Sequence, residues 1–137
     1  MDGLLAESQL LAELNHPNIL RMYGMVLDND GRAVGILTEF CKLGSLGQYL
    51  HSGQHPRLPL RQRVEVALQI ARGLAYLHDR PGKSLVHFDL KPDNLLLVQG
   101  SGNSIEVKVS DFGLSKHKLY TYVESALLHQ HALPDVM

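Results

Sequence analysis

The sequence predicts an α+β fold, because two pairs of short strands and one long helix can be identified in it. Apolar or alternating residues flank turns rich in Gly, Asn and Asp at 28–31 and 99–104, a pattern typical of β-hairpins. Between the two hairpins, residues 60–79 have apolar side chains at helical spacing. The chain is therefore expected to combine antiparallel strands with helices.

Composition and charge narrow the class of protein. The chain has 137 residues, about one domain, and 13 Lys and Arg balance 14 Asp and Glu to a net charge of −1. This balance gives no electrostatic basis for binding nucleic acid or an anionic membrane. No apolar run approaches the roughly 18 residues of a membrane span, so no membrane insertion is expected. Cys41, the one cysteine, cannot form a disulfide within the chain, which fits a reducing cytosolic or nuclear setting, and a cytoplasmic location is expected.

The first elements are a helix at 2–14 and a hairpin. Pro17 ends the helix, because proline cannot continue the hydrogen-bond ladder. The hairpin strands are predicted at 22–27 and 33–40, joined by the turn Asp28-Asn29-Asp30-Gly31. The helix has five leucines that keep largely to one face: Leu4, Leu5, Leu10, Leu11 and Leu14.

The clearest helix is predicted at 60–79, after a short helical turn that starts at Ser45 and a loop over 51–60. We expect its apolar stripe to face the core and its charged residues to face water. The stripe consists of Val64, Ala67, Leu68, Ala71, Leu74, Ala75 and Leu77. The polar side consists of Arg61, Arg63, Glu65 and Arg72.

The second hairpin, with strands at 95–98 and 105–109, brings polar residues together. An antiparallel hairpin returns the end of its second strand beside the start of its first. Asn94 and Asp111 are therefore expected to lie together at the open end of this hairpin.

Two further residues are expected near this pair. Asp89 lies one loop turn before Asn94, and Lys91 lies between them. Two carboxylates, an amide oxygen and an ammonium group suit a hard divalent cation together with phosphate, because Mg²⁺ prefers oxygen ligands. The remaining carboxylate can accept a hydroxyl proton, and the lysine can neutralise charge on a transferring phosphoryl group.

The spacing of these residues resembles a known family. His87-Phe88-Asp89-Leu90-Lys91-Pro92-Asp93-Asn94, followed by Asp111-Phe112-Gly113, is similar to the catalytic loop and metal-binding motif of eukaryotic protein kinases. Glu7 precedes His16-Pro17-Asn18 as the ion-pairing glutamate does in kinases. Matching motifs continue in order to about Lys116. The loop has the serine/threonine form, and the chain also resembles the tyrosine-kinase-like or receptor-interacting branch of these kinases.

The resemblance implies roles for the residues at the open end. Asp89 would be the catalytic base that orients the substrate hydroxyl. Lys91 would contact the γ-phosphate of ATP. Asn94 and Asp111 would bind Mg²⁺. The implied reaction is ATP-dependent phosphoryl transfer to a Ser or Thr hydroxyl of a protein substrate, in signalling.

The resemblance also places the adenine of ATP. Thr38 falls at the gatekeeper position behind the adenine. The backbone of Glu39 and Cys41 would hydrogen-bond the adenine edge, and Leu96 would form the floor of the pocket.

By the same resemblance, the chain is a partial protein-kinase-like fold: the end of the N-lobe, the hinge and the start of the helical C-lobe. The expected regions are an N-lobe remnant at 1–41, the C-lobe start at 42–123 and a divergent tail at 124–137. The sequence has no glycine-rich loop and lysine before Glu7 and no Ala-Pro-Glu after Gly113. We therefore expect a kinase domain truncated at both ends, with little or no activity in the chain alone.

An alternative reading stays open at this point. The exposed apolar faces of the N-lobe remnant favour association. The chain could then be an inactive kinase-like interaction module, or a truncated competitor of a complete relative.

Overall fold

The structure, a computed structural model, describes residues 8–9, 11–80 and 89–111. Residues 8, 9 and 11–13 are helical, so the predicted helix at 2–14 is observed only in its second half; the rest of it, including Glu7, lies outside the described residues. The predicted α+β class is confirmed. The further elements are β1 (Met22–Leu27), β2 (Ala33–Thr38), α1 (Leu46–His51), α2 (Leu60–His78), a 3₁₀ turn (Pro92–Asn94), β3 (Leu95–Gln99) and β4 (Ile105–Val109).

The first hairpin, β1 with β2, forms around the predicted turn. Asp28 Oδ1 accepts hydrogen bonds from the backbone N–H of Asp30 at 3.0 Å and of Arg32 at 2.8 Å. β2 ends at Thr38 and not at residue 40 as predicted. The reason is that the Arg21 N–H donates to the side chain of Glu39 at 2.8 Å, where a regular ladder would use the backbone carbonyl.

Helix α1 begins where the sequence predicts, because Ser45 and Gln48 form a capping box. The Ser45 hydroxyl accepts from the Gln48 N–H at 3.1 Å, and Gln48 Oε1 accepts from the Ser45 N–H at 3.1 Å. Two N–H groups that the first helical turn leaves without a helical partner are thereby satisfied.

The second hairpin pairs β3 with β4 in continuous antiparallel register from Leu95↔Val109 to Gln99↔Ile105. The other edge of β4 is covered by residues 18–20, which run parallel to it. Val109 N donates to Asn18 O at 2.8 Å, and Leu20 N donates to Val109 O at 3.0 Å. Residues 18–20, near the start of the chain, therefore pair with the hairpin of β3 and β4, which lies near the end of the described residues.

Helix α2 packs on β4 through a face that contains only part of the predicted stripe. Leu77, from that stripe, is buried together with Val66 and Gly73, whereas Val64 and Leu68, also from the stripe, are 60% and 48% exposed. Since the helix is apolar on two sides, the spacing of its leucines and valines could not select the buried side. Gly73 allows the close approach: a Cβ there would lie 2.8 Å from Asn18 O.

One hydrophobic core joins the described elements, with side chains from both hairpins, from α1 and α2 and from the N-terminal helical residues. Its innermost members are Leu77, Leu97, Val107 and Val109. No helix in the described part of the chain is long and apolar enough to cross a lipid bilayer. The predicted region boundaries after residues 41 and 123 stay predictions; the second lies outside the described residues.

Candidate functional site

The loop before β3 holds three of the predicted site residues in contact. Asn94 closes the 3₁₀ turn, where its N–H donates to Lys91 O at 2.9 Å. Its side-chain Nδ2 donates to Asp89 O at 2.8 Å and to Asp89 Oδ2 at 3.3 Å. Because the amide nitrogen is bonded to Asp89, the amide oxygen Oδ1 is the Asn94 atom that could bind a cation.

Lys91 also reaches Asp89, as the sequence predicts. Its Nζ lies 3.3 Å from Asp89 Oδ2. The two side chains are 50% and 39% exposed, so water weakens this ion pair, and it contributes little to stability. Both groups remain accessible to a solute from the surrounding water.

Asp111 follows β4 in a backbone conformation that few residues adopt. Its φ is +59°, in the left-handed region, and it is the only residue other than glycine with a positive φ in the described part of the chain. This conformation disfavours most L-residues, although Asp tolerates it better than most. Strained backbone of this kind is concentrated at functional sites.

Ser110, the residue before Asp111, is hydrogen-bonded to Asn94. Both its N–H and its hydroxyl donate to Asn94 O, each at 2.9 Å, and Ser110 is buried. The open end of the second hairpin therefore has the predicted arrangement, in which Asp111 leaves β4 directly beside Asn94.

The predicted adenine-side residues lie around the segment that follows β2. Leu96 and Cys41 are buried in the common core. The segment is attached to β3 at Leu96 and Leu97: Leu97 N donates to Gly44 O at 2.8 Å, and Ser45 forms an isolated bridge with Leu96. The predicted floor of the pocket thus lies beside residues 43–45, which closely follow the predicted adenine-binding residues Glu39 and Cys41.

Thr38 and Glu39 are half-buried at the end of the first hairpin. The Thr38 hydroxyl donates to Glu39 O at 3.2 Å, and the Glu39 N–H donates to Arg21 O at 2.9 Å. Of the Glu39 backbone groups, the carbonyl is thus the one that has a lone pair left for a ligand. The side chain of Glu39 faces elsewhere, into a cleft of about 300 Å³ that Lys108 and His16 also line.

His16 illustrates the electrostatics of this cleft. Burial lowers the pKa of its imidazole, and the positive charges of Lys108 and Arg72 lower it further. The neutral ring accepts a hydrogen bond at Nδ1 from the Asn18 N–H at 3.0 Å and contacts the ring of Tyr76, with 5.0 Å between centroids. His16 is therefore a structural residue of the turn that ends the first helix.

The sequence reasoning missed four residues that hold this site. No sequence signal singled out Ser110, Lys108 lies in a strand that was predicted from alternation alone, and Asn18 stood out only as part of the kinase-like His16-Pro17-Asn18 motif. Gln69 is the fourth: it is a polar residue on the buried face of α2. A glutamine between Leu68 and Ile70 was the one available signal, and it could be interpreted only once the correct helix face was known.

The metal-binding potential of the site comes from oxygen atoms of Asn94 and Asp111. In the described part of the chain, no group of three or more His, Cys, Asp and Glu side chains is arranged for a metal ion. A cation held by one amide oxygen and one carboxylate would take its other ligands from water and phosphate, which is how Mg²⁺ is bound beside nucleotides. The donor set therefore fits Mg²⁺ with a phosphate ligand.

Comparison with known proteins gives matches over most of the chain. The sequence model of the family described as protein tyrosine and serine/threonine kinase matches residues 1–132. The G-type lectin S-receptor-like serine/threonine-protein kinase LECRK3 of Oryza sativa subsp. indica is 41% identical over 112 residues. That match covers 82% of this chain and 13% of the relative.

Two relatives from Arabidopsis thaliana are similar to the chain at comparable levels. The serine/threonine-protein kinase VIK is 37% identical over 137 residues, which is 95% of this chain and 30% of the relative. Chitin elicitor receptor kinase 1 is 37% identical over 112 residues, which is 82% of this chain and 17% of the relative. The chain therefore spans less than a third of the length of each of these relatives.

Proposed function

Because the chain belongs to the protein tyrosine and serine/threonine kinase family, we propose that it contains the phosphoryl-transfer site of a serine/threonine kinase domain. The proposed reaction transfers the γ-phosphate of ATP to a Ser or Thr hydroxyl of a protein in signalling. The observation that supports this most directly is the arrangement around Asn94. Its side chain donates a hydrogen bond to Asp89, and its backbone carbonyl accepts one from Ser110, the residue before Asp111.

In this proposal, Asn94 Oδ1 and the Asp111 carboxylate hold Mg²⁺. When bound, the ion would neutralise charge on the phosphate oxygens of ATP. The backbone at Asp111 is left-handed. The paired hydrogen bonds from Ser110 fix where this conformation occurs relative to Asn94.

Asp89 is the proposed base that orients and deprotonates the substrate hydroxyl. Its carboxylate is held at Oδ2 by two donors, Asn94 Nδ2 and Lys91 Nζ. These donors fix the direction of the carboxylate, while its partial exposure leaves it open to a substrate. In this proposal, Lys91 contacts the phosphate that is transferred and neutralises part of its charge.

The adenine would bind between the Thr38–Cys41 segment and Leu96. The Glu39 carbonyl and the Cys41 backbone would pair with the adenine edge, and Thr38 would limit the space behind it. The attachment of residues 43–45 to β3 supports this placement. These residues closely follow Cys41, so their attachment limits how far the Thr38–Cys41 segment can lie from Leu96. The proposed location is cytoplasmic, where ATP and protein substrates occur.

The test is Mg²⁺-dependent binding of ATP and transfer of labelled phosphate to casein by the full chain, with Asp89→Asn and Asp111→Asn as variants. Because the chain alone is expected to have little or no activity, nucleotide binding is the main readout. Asp89→Asn is expected to keep this binding and to lower any transfer that the wild-type chain shows by about 10²–10⁴-fold. Asp111→Asn is expected to lose the Mg²⁺-dependent part of binding. Asp93→Asn is the matched control, because Asp93 is an exposed carboxylate in the same loop. Equal behaviour of all three variants would refute the proposal.

A second candidate function is that of a kinase-like interaction module. It is favoured by apolar side chains that are exposed on the first hairpin and on α2, including Tyr23, Leu27, Leu60 and Val64. Surfaces of this kind mark sites of association. Light scattering of the purified chain, together with the binding assay, separates the two candidates. A complex-forming chain with no Mg²⁺-dependent ATP binding supports the module, and ATP binding by a monomer supports the enzyme.

A further inference from the structure

The outer edge of β4 is completed by side chains where a sheet would have another strand. Gln69 Nε2 donates to Ile105 O at 2.9 Å, and Val107 N donates to Gln69 Oε1 at 2.8 Å. Asn18 Nδ2 donates to Val107 O at 3.0 Å. The amide of Gln69 therefore replaces one peptide group of a neighbouring strand, since it supplies one donor and one acceptor to the same edge.

The two amide side chains also orient each other. Asn18 Nδ2 donates to Gln69 Oε1 at 3.1 Å, and the Asn18 backbone continues the ladder at Val109. Asn18 and Val107 are buried. The two hydrogen bonds from Gln69 to β4 are partly buried, and loss of this side chain would leave backbone groups of buried β4 residues without their protein partners.

The edge is connected to the proposed site within a few residues. Val109, two residues after Val107, is also buried. It is followed by Ser110, with its two hydrogen bonds to Asn94, and then by Asp111. A shift of β4 along its own axis would therefore move Asp111 relative to Asn94. Because β3 holds only one edge of β4, the contacts on the other edge contribute to fixing its position.

We propose that Gln69 is a positioning residue for the metal-binding pair. It fixes β4 by its outer edge, and through Ser110 it sets the distance between Asn94 and Asp111. This inference rests on the proposed function, in which those two residues hold Mg²⁺. Gln69 itself touches neither the metal nor the nucleotide, so its effect is expected on metal affinity more than on nucleotide affinity.

Helix α2 provides a matched control in Gln62. Its Nε2 donates to Asn103 O at 2.8 Å, so it also connects the helix to the second hairpin, but at the turn, remote from Asp111. Gln69→Met and Gln62→Met thus remove the same chemical group from the same helix. The hydrogen bond of Gln62 is exposed, and its loss leaves β4 in place.

The first measurement is the Mg²⁺ concentration that gives half-maximal binding of a fluorescent ATP analogue to the full chain, beside the affinity for the analogue in EDTA. Gln69→Met is expected to raise the Mg²⁺ midpoint about tenfold or more, as changes around metal ligands commonly do. Its affinity in EDTA should change by less than about twofold, and Gln62→Met should match the wild type in both. A folded Gln69→Met protein with a wild-type midpoint would overturn the inference.

The second measurement is amide hydrogen exchange at Ser110, which needs no nucleotide. Gln69→Met should accelerate this exchange and Gln62→Met should not. If the wild type shows no Mg²⁺-dependent binding, the proposed function fails, and the Ser110 exchange alone decides the positioning role. Should Gln69→Met not fold, Gln69→Glu replaces it, because an oxygen there still accepts from Val107 N while the donor to Ile105 O is lost. Wild-type Ser110 exchange in Gln69→Glu would then refute the inference.

Discussion

Lys108 Nζ lies 3.7 Å from Glu39 Oε1, which connects the second hairpin to the end of the first. The Arg21 N–H donates to the same oxygen at 2.8 Å. The two charged side chains are only 12% and 19% exposed, unlike the pair of Lys91 with Asp89. This ion pair is therefore partly removed from water, where the loss of one partner has a larger effect than at the surface.

Lys108→Met is expected to lower the free energy of unfolding by about 1–3 kcal/mol, because it leaves the Glu39 carboxylate with fewer partners in a poorly hydrated place. Urea titration of the variant measures this. Lys42→Met, at an exposed position, is the control and should stay near the wild type. The effect of Lys108→Met should shrink when Glu39 is changed to Gln in the same chain. Equal losses in both backgrounds would contradict a direct interaction.

His16 predicts a dependence of stability on pH. Because its pKa is lowered in the folded chain from the usual 6.5, the unfolded chain takes up the proton first as the pH falls. Stability is therefore expected to decrease as the pH drops below 6.5, until the folded ring is itself protonated. Protonation also removes the Nδ1 acceptor for the Asn18 N–H.

Unfolding midpoints measured between about pH 7 and pH 5 test this dependence. The variant His16→Gln should show a smaller loss of stability across that interval than the wild type. His78→Gln, at the exposed end of α2, should keep the wild-type profile. A wild-type profile in His16→Gln would assign the dependence to another group.

Gly73→Ala should destabilise the chain although Ala is the better helix former. The added Cβ would lie 2.8 Å from Asn18 O and 3.2 Å from Val109 Cγ2, both in the buried contact between α2 and β4. We expect a loss of about 1–3 kcal/mol from overpacking, measured by chemical unfolding. Ala75→Gly makes the opposite change at an exposed position of the same helix. It should lower the free energy of unfolding by about 1 kcal/mol, because glycine is the poorer helix former. A stabilised Gly73→Ala protein would contradict the close packing.

Replacement of Asp111 by glycine should destabilise the chain less than replacement by alanine. Both substitutions remove the carboxylate, so its lost interactions are common to the two variants. At a φ of +59°, only Ala is strained, and Asp111→Gly is expected to be about 1 kcal/mol more stable than Asp111→Ala. Thermal unfolding of the two variants gives the difference. An order in which Ala is the more stable would show that the left-handed backbone does not persist.

The hairpins were predictable from sequence because their information is local. Turn residues such as Asp28 and Gly31, and the alternation over 105–109, specify a hairpin without reference to the rest of the chain. The same holds for the helical turn that is predicted to start at Ser45. The convergence of Asn94 with Asp111 followed from hairpin geometry alone, and the structure agrees in placing Ser110 on Asn94.

Tertiary contacts were not predictable in the same way. Helix α2 has two apolar sides, so its pattern did not indicate that Val66 and not Val64 would be buried. The alternation of β4 correctly buried Val107 and Val109 but gave no sign that Lys108 would meet Glu39. Nor can sequence spacing show that Gln69 completes a strand edge, because this depends on the position of the whole helix.

The parallel contact of Ile19 with Val109 has a consequence for the order in which the chain folds. The second hairpin can form as soon as its own two strands exist, but the outer edge of β4 needs a segment synthesised long before it. Closing so large a loop is slow compared with local steps. We therefore expect β4 to be formed early with one bare edge, which is open to pairing with other chains until residues 18–20 reach it.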